Sequence, residues 1–356
     1  MTNPTSHGLS SLADLRVVEL GVWVAAPSAA ALLADWGAEV IKVEARTGDP
    51  MRNVFGSIGI TGDLANPAFA LDNRGKRSLV LDLRDPTDRQ HLEDLLATAD
   101  VFISNLRPDA LDNLDLGPHA TVERHPRLVY CSISGYGLRG EERNRPTYDI
   151  GAFWARSGLA MQMADGDGSP LNARGGIGDH ITGLAALAGI LAAVLEQRQT
   201  GTGRVVEVSL LRTGAYVLGW DLGLQMALGK VAGAEPRHRN QSPLMNPYRA
   251  ADGCWFFFTG LEAERHIGPV CRRWAAPTCS TTSASPARRP YARIAPRSSP
   301  SSTRSSPSGR WPNGPSGSIA RVRGGRWPSR RPTWWWTRSC WPTTGSSPSR
   351  VARCSR

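Results

Sequence analysis

The feature that most constrains this chain is a repeat of short, almost wholly apolar runs alternating with segments of helical pattern. Leu15 to Leu20 (Leu-Arg-Val-Val-Glu-Leu) reads as a strand, Pro27 to Trp36 as a helix with proline in its first turn and Gly37 as its stop, and Glu39 to Glu44 as a second strand. The unit then recurs. Ser78 to Leu83 is a third strand, Thr87 to Thr98 a helix, Asp100 to Leu106 a strand, His119 to Arg124 a short helical segment, and Leu128 to Ile133 a strand that ends in Ser134-Gly135-Tyr136-Gly137. Arg204 to Ser209 is one more strand, with helical pattern from Leu210 to Leu228 after it. Strands this rich in Val, Leu and Ile are buried on both faces, which calls for parallel pairing between layers of helices. The expected fold class is therefore α/β, a Rossmann-like doubly wound parallel sheet.

Dinucleotide-binding sheets of this kind carry GxGxxG after the first strand. Here that strand runs into Gly21-Val22-Trp23-Val24-Ala25-Ala26-Pro27, so the fingerprint is absent and neither a nicotinamide nor a flavin cofactor is expected. Cations gather at the loops instead: Arg46, Arg52, Arg74, Lys76, Arg77, Arg84 and Arg107. Singly each reads as a solvated surface charge; as a group they suit a ligand with several phosphates held by side chains.

Between Gly175 and Gly203 a single acid, Asp179, stands behind glycines and ahead of an uncharged run from Ile181 to Leu195. That places its carboxyl at a helix N-terminus, where unpaired N–H groups and the helix dipole favour the ionised form. Two readings of Asp179 stand, a helix cap worth about 1 kcal/mol and a reactive carboxylate. The run itself, fifteen residues long, is too short to span a bilayer comfortably and reads as a buried helix.

Composition divides the chain. From Ala275 to Arg356 there are fifteen Arg and no Lys, Asp, Glu, Leu, Met, Phe, Gln or His, so this segment carries +15 of a net +11 and leaves the first 274 residues at −4. Six of the twelve Trp fall there, three of them in succession at Trp334-Trp335-Trp336, and no apolar period survives. Such a composition builds no core to offset the entropy of ordering, so a disordered tail is expected; it reads as a GC-rich gene translated out of frame after a frameshift near codon 275. The organisation expected is a large α/β domain over 1–229, a linker and the start of a smaller domain over 230–274, where Tyr248 to Phe258 looks like a hairpin, and the aberrant tail over 275–356. Arginine with aromatics can stack on single-stranded nucleic acid, but no binding module is visible and the rest of the chain is acidic, so no nucleic-acid partner is expected. Six cysteines without a CxxC pair, and no basic segment ahead of an apolar run near the start, lead to an expectation of no metal, no membrane and a cytoplasmic location.

Leu12 to Leu20, Leu33 to Glu44, Asn73 to Ser78, Ala99 to Val101 with Asn105, and Leu128 to Gly137 resemble, in matching order, the family III CoA-transferases, which include formyl-CoA transferase, carnitine CoA-transferase and the 2-methylacyl-CoA racemases. The resemblance covers about residues 12 to 274. It implies an interlocked homodimer where the C-terminus is intact, acyl-CoA and a carboxylic acid as substrates, and transfer of coenzyme A through an aspartyl-CoA intermediate. Asp179, in Gly178-Asp179, falls on the family's catalytic aspartate. The CoA site is implied at Val24, Ala25, Leu81, Asp82, Leu83, Arg84, Asn105, Leu106 and Arg107, and in the segment from Arg145 to Tyr148. Two positions depart from the pattern: an arginine after the second strand's glutamate is Ala45 here, with Arg46 beside it, and another falls on Asn113. Arg46, Arg52 or Arg77 are the expected substitutes. Racemisation, the alternative within the family, needs a second acid-base group across the α-carbon. The racemases carry a histidine where this chain has Tyr148, a poor base with an ordinary pKa of about 10, and His180 diverges from Asp179 on the helix. Transfer is therefore the expected reaction.

Overall fold

Every strand of the repeat pairs in parallel. In the computed structural model, which describes residues 10–57, 59, 66–164, 168–229, 244–250, 252–260, 262, 265–266 and 338–339, one sheet is built from β1 (Arg16–Leu20), β2 (Glu39–Glu44), β3 (Arg77–Val80), β4 (Val101–Ser104), β5 (Val129–Ser134) and β6 (Val205–Ser209). Their order is β3-β2-β1-β4-β5-β6, the doubly wound order in which the direction of winding reverses between β1 and β4.

Helices cover both faces. They are α1 (Ala25–Asp35), α2 (Val54–Ser57), α3 (Pro67–Asn73), α4 (Pro86–Ala97), α5 (Pro108–Asn113), α6 (Pro118–Arg124), α7 (Leu159–Gln162), α8 (Ile177–Thr200), α9 (Leu210–Val217) and α10 (Gly219–Leu228), with a π-helical segment at Ile150–Arg156. The two-residue period of the strands sorts the core. Val17, Val40, Val101, Ile103, Val129 and Cys131 pack with α1 and α8. Their neighbours Val18, Leu20, Phe102 and Tyr130 pack with Leu92, Leu96 and Leu111 of α4 and α5. Proline in the first turn opens α3 to α6, and Asn66 and Asp85 cap α3 and α4 by accepting from backbone N–H groups.

The apolar run of the sequence understates α8. The helix has 24 residues, ends on left-handed glycines at Gly176 (φ 83°) and Gly201 (φ 74°), and is long and apolar enough to cross a membrane by length and composition. Packing decides its place: Gly178, Gly183, Ala186, Leu187, Ile190 and Val194 are buried, with α1 and the sheet sharing their core. At Gly183 the approach to α1 is so close that a Cβ would stand 2.2 Å from Ser28 Oγ and 3.1 Å from the Ala25 carbonyl oxygen. The helical pattern from Leu210 to Leu228 is broken at Leu218 into α9 and α10, and Tyr216, Trp220 and Met226 along it are 85, 81 and 83 % exposed.

The chain falls into two units, Met1–Ala234 and Glu235–Arg356. In the second, β7 (Pro247–Arg249) and β8 (Trp255–Phe257) form the antiparallel hairpin, joined by β9 (Arg338–Ser339), and Tyr248, Phe256 and Phe258 pack their rings together. Apart from that strand, what was expected of residues 275–356 lies outside the described residues.

Candidate active site

Where the winding reverses, the loops leaving β1 and β4 diverge and open a crevice at the carboxyl ends of the strands. A cleft of about 300 Å³ lies there, walled by Leu20 to Val22 after β1, Val43 to Asp49 after β2, Leu81 to Arg84 after β3, and Leu106 after β4. Asn105 staples the two diverging loops: its Oδ1 accepts from the Val22 N–H at 2.9 Å and its Nδ2 donates to the Val22 carbonyl at 2.7 Å. Arg46 and Arg84 stand exposed on the cleft, the latter 3.7 Å from Asp82.

A buried charge network supports the β1 loop from beneath. Lys42 Nζ lies 2.7 Å from Glu19, 3.0 Å from Asp49 and 2.9 Å from the Gly21 carbonyl, while Lys76 Nζ lies 2.6 Å from Glu19 and 2.9 Å from the Pro27 carbonyl. Burial pushes Lys76 down to about 8 against the pull of Glu19. Asp49 in turn accepts from the Trp23 N–H at 3.0 Å. That bond holds Trp23 at φ 64°, a left-handed backbone that a bulky aromatic residue seldom adopts, with its ring edge-on to Tyr148 at 5.8 Å.

The same loop leads from the cleft to the start of α8. Val24 Cγ1 lies 3.9 Å from the point where a Cβ on Gly176 would sit, and Ala25 packs beside Gly183. Asp179 stands in the first turn of α8, whose N-cap is Gly176 with no side-chain cap. The carboxylate serving the helix N-terminus belongs to Asp149, which accepts from Gly178 N–H at 3.1 Å and from its neighbour Ile150 N–H at 2.8 Å. Among the described residues no donor reaches the Asp179 carboxyl. The expectation that Asp179 is held fully ionised is therefore corrected. Burial first, and the charge of Asp149 second, push it up to about 7, with His180 pulling the other way. Glycine at 178 is required by packing, since a Cβ there would come within 2.6 Å of the Phe153 ring. His180 bonds through Nε2 to Asp72 Oδ1 of α3 at 3.0 Å, and Asp72 raises the imidazole above its ordinary range.

The cleft thus brings together Arg46, Leu81, Asp82, Leu83, Arg84 and Leu106, and the β1 loop carries Val24 and Ala25 to α8. Other expected residues are placed elsewhere or otherwise engaged. Arg52 donates to Glu44 at 2.8 and 2.6 Å and lies 4.1 Å over the Phe69 ring, holding Glu44 down to about 2. Arg77 opens β3 at the amino end of the sheet, opposite the cleft, and bonds Glu39 at 2.6 Å. Arg107 is exposed just ahead of α5, Arg145 pairs with Glu142 beside the Tyr136 ring, and Tyr148 is exposed over Trp23. Among the described residues no group of three or more His, Cys, Asp or Glu is placed to hold a metal ion. Sequence reasoning missed the parts of Asp149 and Asp72; neither residue has a local pattern that marks it, because each acts on α8 from a distant segment.

Comparison with known proteins gives this architecture a family. Residues 12–297 match CoA-transferase family III, and the chain belongs to that family. It is 34% identical over 264 residues to the (R)-2-hydroxy-4-methylpentanoate CoA-transferase of Clostridioides difficile, covering 73% of this chain and 65% of that protein. It is 36% identical over 244 residues to the cinnamoyl-CoA:phenyllactate CoA-transferase of Clostridium sporogenes, covering 68% of this chain and 58% of the relative. The chain therefore spans about two thirds or less of the length of these relatives. Among solved structures, a CaiB/BaiF family protein from Brucella suis superposes with a TM-score of 0.66 at 28% identity, over 76% of this chain and 70% of that one.

Proposed function

We propose that the protein transfers coenzyme A from an acyl-CoA to a carboxylic acid, with Asp179 as the nucleophile. The observation that carries this reading is Asp179 itself, a carboxyl set in the first turn of a helix, stripped of hydrogen-bond donors among the described residues, and reached from a cation-rimmed cleft along Val22, Trp23 and Val24. With a pKa of about 7, about half of it is ionised at neutral pH, and the anion accepts no hydrogen bond from the described residues that would blunt its attack.

In this mechanism the Asp179 carboxylate attacks the thioester carbonyl, the C–S bond breaks, and the thiolate leaves with the electron pair, giving a mixed anhydride. The thiolate then attacks the Asp179 acyl carbon, releasing the donor acid and forming an aspartyl-CoA thioester. The acceptor carboxylate attacks that thioester and expels the thiolate, which returns to the acceptor's acyl carbon and frees Asp179. In this reading Arg46 and Arg84, which line the cleft, take the CoA phosphates. The names of the two relatives make (R)-2-hydroxy-4-methylpentanoate and phenyllactate the first acceptors to test. Racemisation is disfavoured because Tyr148 packs on Trp23 and His180 is bonded to Asp72.

Hydroxylamine trapping during turnover, followed by mass spectrometry, is expected to place a hydroxamate on Asp179. Asp179→Asn is expected to lose transfer by many orders of magnitude. Full transfer in that variant, or an adduct on another residue, would falsify the assignment.

A further inference from the structure

We infer that Asp72 and His180 are a charge-setting pair for the nucleophile: resting on the transferase reading above, Asp72 holds the His180 imidazolium beside Asp179, and that cation keeps Asp179 able to ionise among other carboxylates. Three carboxyls converge on the start of α8 from separate segments: Asp72 on α3, Asp149 at the head of the π-helical segment, and Asp179 itself. Asp72 and Asp149 are buried, at 2 and 5 % exposure, so water screens them poorly. Lys76 also feels Asp72, but its ammonium is bonded to Glu19, Asn73 and the Pro27 carbonyl. Helix α1, packed against both α3 and α8, carries one titratable side chain, Asp35 in its last turn, and that carboxylate is paired with Arg74 just after α3. Among the described residues, the cation whose charge acts on Asp179 is its chain neighbour His180.

The ring is held for this task. Nε2 is fixed by Asp72 at 3.0 Å, the His180 N–H donates to the Gly176 carbonyl at 2.9 Å, and Nδ1 lies 3.4 Å from where a Cβ on Gly176 would stand. Glycine at the left-handed N-cap therefore leaves the imidazole its space. Electrostatics run the same way: Asp72 raises the imidazole, and the imidazole lowers Asp179 against burial, Asp149 and, last, the direct charge of Asp72. His180 is a positioning residue, acting on substrate only through Asp179.

The test uses the full chain with histidine labelled at Cε1 for NMR, and follows acyl transfer to Asp179 from cinnamoyl-CoA in single turnovers across pH. In Asp72→Asn, His180 is expected to titrate at lower pH; because that variant also removes the Asp72 charge that itself raises Asp179, the rate is read in His180→Gln, where the acid limb of acyl transfer is expected to move upward. An upward move of about one pH unit makes the rate at pH 6 fall by up to about tenfold, with the loss shrinking as the pH rises past the imidazole's own titration. His180→Arg, which carries a permanent charge, should recover most of the rate at pH 6. A bond that merely ties α3 to α8 predicts equal loss at every pH and no recovery with arginine; that result overturns the pair. If the parent chain acylates Asp179 at no pH, the transferase reading has failed, and the NMR titration alone decides the pair. An unchanged His180 titration in Asp72→Asn then overturns it.

Discussion

Asp179 carries a cost that its position alone does not reveal. Its native pKa of about 7 lies above the ordinary value near 4, so the folded chain holds a proton that the unfolded chain releases. Stability contributed at this site is therefore present below about pH 4, declines as the pH rises toward 7, and stays low above it. Asp179→Asn, which cannot ionise, is expected to melt at a higher temperature than the parent at pH 8 and at the same temperature at pH 3.5. Asp149→Ala should do the reverse at pH 8, losing about 0.5–2 kcal/mol with the helix partner it removes. Thermal melts of the three proteins at both pH values check the signs. The sequence placed Asp179 at its helix start correctly but not its protonation, because burial, the main cause, and the charges of Asp149 and Asp72, 30 and 107 residues earlier in the chain, come from tertiary packing. Lys42 was more legible than it looked: a lone cation in an apolar strand, opposite Glu19 of β1 in the register, signals a buried pair.

Among the elements, α1 and α8 depend on each other most visibly. Their contact is made by Ala25, Ala26, Ala29, Gly183 and Ala186, small residues that let the two backbones approach, and the start of each helix shapes the site. Gly183→Ala drives a methyl into Ser28 and the Ala25 carbonyl, so it is expected to destabilise the protein by about 1–3 kcal/mol and to disturb the β1 loop. Gly223→Ala in α10 meets nothing within 4 Å and is expected to stabilise by about 0.4–1 kcal/mol. Urea unfolding of both variants compares a glycine kept for packing with one that is not. The strands were legible because short, almost wholly apolar runs between helical segments leave few alternatives to a buried parallel sheet. The break at Leu218 and the π-helical turn at 150–156 were not, since helical periodicity continues through both and tertiary contacts decide.

At the scale of the molecule, α9 and α10 leave three large side chains, Tyr216, Trp220 and Met226, largely uncovered within one short stretch of chain. The homodimer expected from the sequence resemblance is the occupant we propose for it. Sedimentation of the parent chain should show concentration-dependent association that Trp220→Glu weakens; a monomer at all concentrations counts against the dimer. Sequencing the gene across codons 265 to 285 is expected to reveal a frame that restores Leu, Asp, Glu and Lys after Trp274. The sheet order has a consequence for the newborn chain. Every described residue lining the cleft lies at or before Leu114, whereas the proposed nucleophile is residue 179 and the strand that follows its helix ends at Ser209. A ribosome adding roughly 5–20 residues per second delivers the cleft's walls several seconds before Asp179. On that timetable a nascent chain holds the lining of the cleft before it holds Asp179, so under the proposed mechanism any ligand bound that early would meet no nucleophile until the later strands have been made.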